Sequence, residues 1–138
     1  MAAAPTLIDS GPLIATYRLY DEHHQLCIDA EQQLTVPLFT CWPVITETVY
    51  LIRKSPKAVS SLLSRLASGD IALLPLTEDD VTGIQDVLTR FHDQDIDLAD
   101  ACLTHLAERE GIEHIFTLDR RHFSILRTKS NRSLTILP

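Results

Sequence analysis

A run of three or four apolar residues followed by a helix-opening signal recurs along this chain, and that alternation limits the possible folds more than any other feature. Thr6, Leu7 and Ile8 read as a short buried strand. Asp9, Ser10 and Pro12 then cap and open a helix that runs to about Tyr20. A second helix is expected from Asp21 toward Leu34, with His23 and His24 in its first turn. Residues 38–41 form a second strand, and Pro43 opens a helix through Ile52. Ser55 and Pro56 restart a helix in the N-cap and N1 manner, and Gly69 closes it at the usual C-terminal position. Residues 71–74 give a third strand. Thr77 and Asp80 have the spacing of a capping box for a helix to about Phe91. Asp97 opens a helix that Gly111 ends, residues 114–117 make a fourth strand, residues 120–126 a short helix, and residues 134–137 an edge strand. Strands alternating with helices imply the α/β class: a three-layer α/β/α fold around a mostly parallel central sheet of four to five strands. The 138 residues suit one domain spanning 1–138. In such a sheet, ligands bind beyond the carboxyl ends of the strands.

Composition removes several classes. With 45% hydrophobic and 22% charged residues the chain is globular rather than disordered. Cys27, Cys41 and Cys102 are odd in number, widely spaced and set among apolar neighbours, so they read as reduced core residues of a cytoplasmic protein. Residues 1–13 lack a basic n-region and are interrupted by Pro5 and Asp9, which argues against a secretory signal. No stretch approaches the ~20 apolar residues of a membrane helix. No HExxH or paired CxxC is present, and His23 and His24 near Cys27 read as a helix start rather than a zinc site. The net charge of −7 is unevenly spread. Residues 78–100 hold Glu78, Asp79, Asp80, Asp86, Asp93, Asp95, Asp97 and Asp100 against Arg90 alone, and the 78–86 face reads as a solvated helix surface. Arg120, Arg121, Arg127, Lys129 and Arg132 crowd a segment without acids, which makes them candidate phosphate contacts that add salt-dependent affinity rather than base choice. No isolated apolar stripe demands a partner.

The chemistry lies in the acids of the carboxyl rim. Asp9 closes the first strand and Asp119 follows the fourth by one residue, so both belong on the same rim. Glu47 falls among Val44, Tyr50 and Leu51 on the helical wheel, where a half-covered carboxylate needs a donor or a cation. Asp97 and Asp100 share one face of a first helical turn, and Asp100 borders the apolar stripe of Leu103 and Ala107. Taken alone, Asp9 and Asp119 are also good N-caps, Asp97 and Asp100 suit a first helical turn, and Glu47 could be a boundary residue that reaches solvent. Together, Asp9, Glu47, Asp100 and Asp119 would repel one another by about 1–4 kcal/mol per pair at ~4 Å, so protons or a divalent cation must join them. Oxygen ligands suit Mg²⁺ or Mn²⁺, and carboxylate-held Mg²⁺ is suited to phosphodiester hydrolysis.

With those residues in place the chain resembles the PIN-domain nucleases, most closely the VapC-type toxin ribonucleases of bacterial toxin–antitoxin pairs. The carriers are Leu7 to Leu13 with Asp9, Ser10 and Gly11, then Val44 to Glu47, Asp97 to Ala101, and Phe116 to Asp119 with Phe123. The resemblance implies that Asp9, Glu47 and Asp100 hold the metal and that Asp119 completes the site. It also implies that Thr117 and Ser10 supply positioning hydroxyls and that Asp97 is an accessory acid. It further implies an endoribonuclease acting on cellular RNA, a homodimer, and an antitoxin that blocks the site. Many members carry an acid where this chain has His122. Two enzymatic or signalling rivals fit less well. A dehalogenase-like phosphatase needs a DxD where this chain has Asp9, Ser10 and Gly11, and a receiver-type phosphoacceptor needs a further acidic pair and a late lysine. A silent PIN fold kept as an RNA- or protein-binding module is disfavoured by the intact acids.

Overall fold

The computed structural model describes residues 4–138, so the start of the segment judged unlike a secretory signal lies outside the described residues. Among the described residues, five strands of three residues each form one sheet: β1 (Thr6–Ile8), β2 (Leu38–Thr40), β3 (Ile71–Leu73), β4 (His114–Phe116) and β5 (Thr135–Leu137). Their order is β3-β2-β1-β4-β5, and every neighbouring pair is parallel. Leu7 and Ile8, and likewise Ile115 and Phe116, are consecutive residues that point to opposite faces, yet all four are fully buried. The sheet is therefore covered on both sides, as a parallel sheet with helical crossovers must be.

The helices are α1 (Ser10–Tyr17), α2 (His24–Gln32), α3 (Trp42–Ile52), α4 (Pro56–Ser68), α5 (Val81–Arg90), α6 (Leu98–Glu110) and α7 (Arg120–Phe123). Their ends follow the sequence signals. Ser55 caps α4, accepting from Ala58 N, and Gly69 closes that helix with φ of 85°; Gly111 does the same for α6 with φ of 67°. The three cysteines are free and buried. No helix of the described residues is long and apolar enough to cross a membrane.

Four expectations change. Helix α2 begins at His24 rather than Asp21, because Asp21 Oδ1 accepts the His23 N–H at 2.8 Å and holds a turn that competes with helix. The capping box of Thr77 and Asp80 is present, but it opens a 3₁₀ turn over Glu78–Asp80 before α5 starts. Asp80 is also buried rather than solvated: its Oδ1 accepts from His105 Nε2 at 2.8 Å and from Arg109 at 3.0 Å, which locks α5 onto α6. These partners hold its carboxyl well below the usual carboxylate range. Finally, an apolar groove lined by Val49, Pro56, Val59, Leu63 and Ala67 runs between α3 and α4, with Tyr50, Leu51 and Leu63 exposed beside it. The sequence hides this surface because its members are divided between two helices.

Gly83 on α5 packs directly on the His105 ring; a Cβ there would lie 2.3 Å from Nδ1 and 2.4 Å from Cε1. In Gly83→Ala the ring must leave Asp80, so a partly unpaired buried carboxylate outweighs the helix-propensity gain of about 1 kcal/mol. The expected result is a net loss of about 1–2 kcal/mol in urea unfolding. Unchanged or raised stability would show that the His105–Asp80 contact does not brace the two helices.

Candidate active site

The strand order places the site. Between β1 and β4 the chain reverses the direction in which it adds strands, and crossover loops diverge there to leave a crevice at the carboxyl edge. Asp9 follows β1 on one side of this crevice and Asp119 follows β4 on the other. The register pairs Ile8 with Phe116, and the Asp9 N–H donates to the Phe116 carbonyl at 3.0 Å, so the two strand ends are level. Thr117 fastens them. Its hydroxyl donates to Asp9 Oδ2 at 2.8 Å and accepts the Asp119 N–H at 3.0 Å. Asp9 also caps α1, its Oδ1 accepting from Ser10 N at 2.8 Å. Capping and site-building are thus two uses of the same carboxylate.

Two helices bring the remaining acids. On α3, Glu47 is half-buried, and the donor its position calls for is Ser10, whose hydroxyl donates to Oε1 at 2.9 Å. On α6, Asp97 and Asp100 form a reciprocal capping box: Asp100 N donates to Asp97 Oδ1 at 2.8 Å and Asp97 N to Asp100 Oδ2 at 3.4 Å. This fixes the first turn so that Asp100 is buried while Asp97 stays exposed. Asp9, Ser10, Gly11, Glu47, Asp97, Asp100, Leu118 and Asp119 line one pocket of about 410 Å³. All four main acids of the sequence reading, with Asp97 and Ser10, therefore meet in one place, and Thr117 stands directly behind Asp9.

The electrostatics are those of a site short of positive charge. Burial pushes the Asp9 carboxyl up to about 6, and the charges of Glu47 and Asp97 add to it against the hydrogen bonds from Thr117 and Ser10. Burial, then the charges of Asp9 and Asp97, push Asp100 up to about 7. Among the described residues, no Lys or Arg forms an ion pair with any of these acids; the nearest cationic group is His122, whose Nδ1 lies 2.7 Å from Asp119 Oδ2 and 4.0 Å from Asp100 Oδ2. The hydrogen bond to Asp119 raises the His122 pKa against the opposing effect of burial. A cluster of carboxylates with the Ser10 hydroxyl, paired to no Lys or Arg among the described residues, matches the donor set of a hard divalent cation.

The basic candidates divide. Arg120 and Arg121 follow Asp119 immediately, and the Arg120 guanidinium donates to the Pro138 carbonyl. Arg127 donates to the Ser124 and Leu126 carbonyls, which makes it a local brace. Lys129 lines a different pocket with Asp86, His105 and Glu108, and Arg132 lies 3.8 Å from Glu113. The first two adjoin Asp119 in the chain, but neither lines the acidic pocket. The sequence reading noted His122 as a departure but gave it no role, although its place three residues after an N-cap Asp, on the same helical face, is a signal that the two side chains meet.

Comparison with known proteins agrees with this fold. The PIN domain family matches residues 6–128. Ribonuclease VapC26 of Mycobacterium tuberculosis is 32% identical over 138 aligned residues, covering 96% of this chain and 99% of that protein. Two crystal structures share the fold. VapC20 of M. tuberculosis, described as a Sarcin-Ricin loop cleaving toxin, superposes with a TM-score of 0.76 at 16% identity, covering 84% of this chain and 91% of its own. VapBC2 from Rickettsia felis, solved with a DNA fragment from its promoter, gives 0.65 at 14% identity, with 96% and 98% covered.

Proposed function

This chain belongs to the PIN domain family, and from that premise we propose that it is a metal-dependent endoribonuclease, the toxin of a toxin–antitoxin pair. The observation that carries the reading is the pocket: Asp9, Glu47, Asp100 and Asp119 converge at the topological switch point, two of them held above their ordinary pKa by burial and mutual repulsion. The full-length likeness to a ribonuclease points to the substrate class.

Asp9, Glu47 and Asp100 are the residues placed to hold Mg²⁺ or Mn²⁺, with Asp97 accessory. When bound, such an ion polarises a phosphate oxygen and makes a water acidic enough to attack near neutral pH. The protein's own contribution is orientation. Thr117 fixes Asp9, Ser10 fixes Glu47, and the capping box fixes Asp100, so the oxygens are set before any cation arrives. Asp9 and Asp100 carry protons over part of the neutral range in the free protein, and ligation displaces them. Arg120 and Arg121, which follow Asp119 in the chain, are the basic residues that would contact the RNA backbone.

The test is cleavage of a broad transcript set with Mn²⁺ or Mg²⁺ present. Cutting that excess EDTA stops is the expected result. Activity that persists in EDTA would overturn the metal requirement, and RNA binding without cleavage under any metal would favour a silent binding module.

The partners follow the same reading. Residues 48–69 contain Arg53, Lys54, Lys57 and Arg65 and no acid, on a chain of net charge −7. Of these Arg53 lines the apolar α3–α4 groove, while Arg65 is paired with Glu31 and Asp70. An antitoxin segment with apolar anchors and acidic flanks suits that surface, and a homodimer is the expected assembly.

A further inference from the structure

We propose that Leu118 is the wall of the pocket against which a nucleobase next to the scissile phosphate lies flat, so that the site holds one nucleotide by the face of its base and not by its edge. This deepens the reading of the pocket as the active site of a ribonuclease, and rests on it. Among the described residues, Leu118 is the one large apolar side chain that lines the pocket. The rest of the lining is Gly11, Ser10 and five acids.

The backbone puts Leu118 there. The Asp119 N–H donates to the Thr117 hydroxyl at 3.0 Å and closes a tight turn after β4, with Leu118 as its middle residue. Thr117 is buried, whereas Leu118 stays half-buried. One flank of the leucine rests on the first turn of α1: a Cβ added to Gly11 would meet Leu118 first, 3.4 Å from its Cβ and 3.6 Å from its Cγ and Cδ1. Glycine at this position lets the two rim segments close on each other. The other flank of Leu118 faces the pocket. Apolar surface left against water in this way is covered favourably by the flat face of a base.

The polar lining is poorly suited to reading a base edge. An ionised carboxylate has no hydrogen to give to the acceptors of a base, and the lone pairs of these acids serve the cation. The Ser10 hydroxyl already donates to Glu47. No Lys, Arg, Asn, Gln or Tyr lines the pocket among the described residues. What remains for recognition is the π face, which all four bases share. At about 410 Å³ the pocket lies toward the small end of the range for small-ligand sites, about 300–1,000 Å³, which suits one nucleotide rather than a duplex. The work is thereby divided. The acids serve the phosphate, Leu118 serves the face of the neighbouring base, and any choice of sequence is made outside the pocket.

The experiment removes the base and the leucine separately and together. An RNA that the full-length protein cuts in Mn²⁺ is mapped, and an abasic ribonucleotide then replaces each nucleotide flanking the cut bond in turn. For wild type, one of the two abasic RNAs is expected to raise KM about tenfold with kcat held. Leu118→Ala should raise KM by a similar factor on the intact RNA and add nothing on that abasic RNA, because both changes delete the same contact. A leucine that merely packs the turn would cost the same on both RNAs, and that result would overturn the proposal. If Leu118→Ala does not fold, Leu118→Val carries the same direction, and the abasic RNAs test wild type without any variant. Wild type that cuts both abasic RNAs as well as the intact one would also overturn it, as would a preference of about tenfold or more for one of the four bases at that nucleotide, the scale of a hydrogen-bonded edge contact. In each of these cases the RNA is still cut and the nuclease reading stands. Failure of wild type to cut any RNA in Mn²⁺ or Mg²⁺ would sink that reading and this proposal together.

Discussion

Asparagine in place of Asp100 is expected to make the metal-free protein more stable at about pH 7.5 while removing cleavage. Burial and the charges of Asp9 and Asp97 place the Asp100 carboxyl at about 7, against 3.8 for an ordinary aspartate. Between those values the folded chain holds a proton that the unfolded chain lacks, so stability is fully present below the lower value and falls as pH rises through the upper one. Three pKa units correspond to about 4 kcal/mol at most. Part of this returns on relaxation, so a gain on the order of 2 kcal/mol is expected of the neutral side chain. Asparagine keeps an acceptor for the Asp97 N–H, which preserves the capping box. In a chain of this size the melting temperature of the metal-free variant should rise by roughly 5 °C at about pH 7.5 and hardly at all at about pH 4. Cleavage should fall by at least about 10²-fold, the scale on which one group stabilising developing charge acts. Thermal melts in EDTA at the two pH values, with a cleavage assay in Mn²⁺, check both halves. A variant less stable than wild type at the higher pH would mean that Asp100 is not repelled by its neighbours.

The second large effect is the coupling of metal to protons. With Asp9 at about 6 and Asp100 at about 7, a divalent cation must displace protons to bind anywhere near neutrality. Calorimetric titration of Mn²⁺ at about pH 6.5, repeated in buffers of different ionisation enthalpy, should show release of about one proton per ion. Affinity should weaken on acidification by up to about tenfold per pH unit for each proton displaced. At a free concentration a hundred times its dissociation constant, the ion should add about 2.7 kcal/mol of stability at high pH. Most of that addition should vanish near pH 5. Binding that is insensitive to pH between those limits would mean that the ion is held by other groups.

Much of this site could be read from the sequence because the rim of a parallel sheet is a position in the chain as well as in space. Asp9 and Asp119 sit just past two buried strands, and strand ends are marked by where apolar runs stop. Asp100 was legible from its place beside Leu103 and Ala107, and Glu47 from the apolar residues around it. What could not be read was the pairing of distant polar side chains. Ser10 meets Glu47 across 37 positions, and Asp80 meets His105 across 25. Such contacts depend on how helices lie against one another, and local periodicity is silent about that. The same limit explains why Asp80 looked like part of a solvated face, and why four of the five basic candidates proved to be turned toward carbonyls, another pocket or Glu113.

The hydrogen bond from Thr117 to Asp9 spans 108 positions of the chain. A ribosome translating this message completes α1 to α6 before the residue that fixes Asp9 exists, and α7 and β5 follow. Since β1 cannot close against β4 until that segment has emerged, the nascent chain carries scattered acids rather than a site while residues 1–116 are being made. For a protein whose proposed substrate is cellular RNA, the machine that makes it is shielded from its product until β4 and the threonine that follows it have been made.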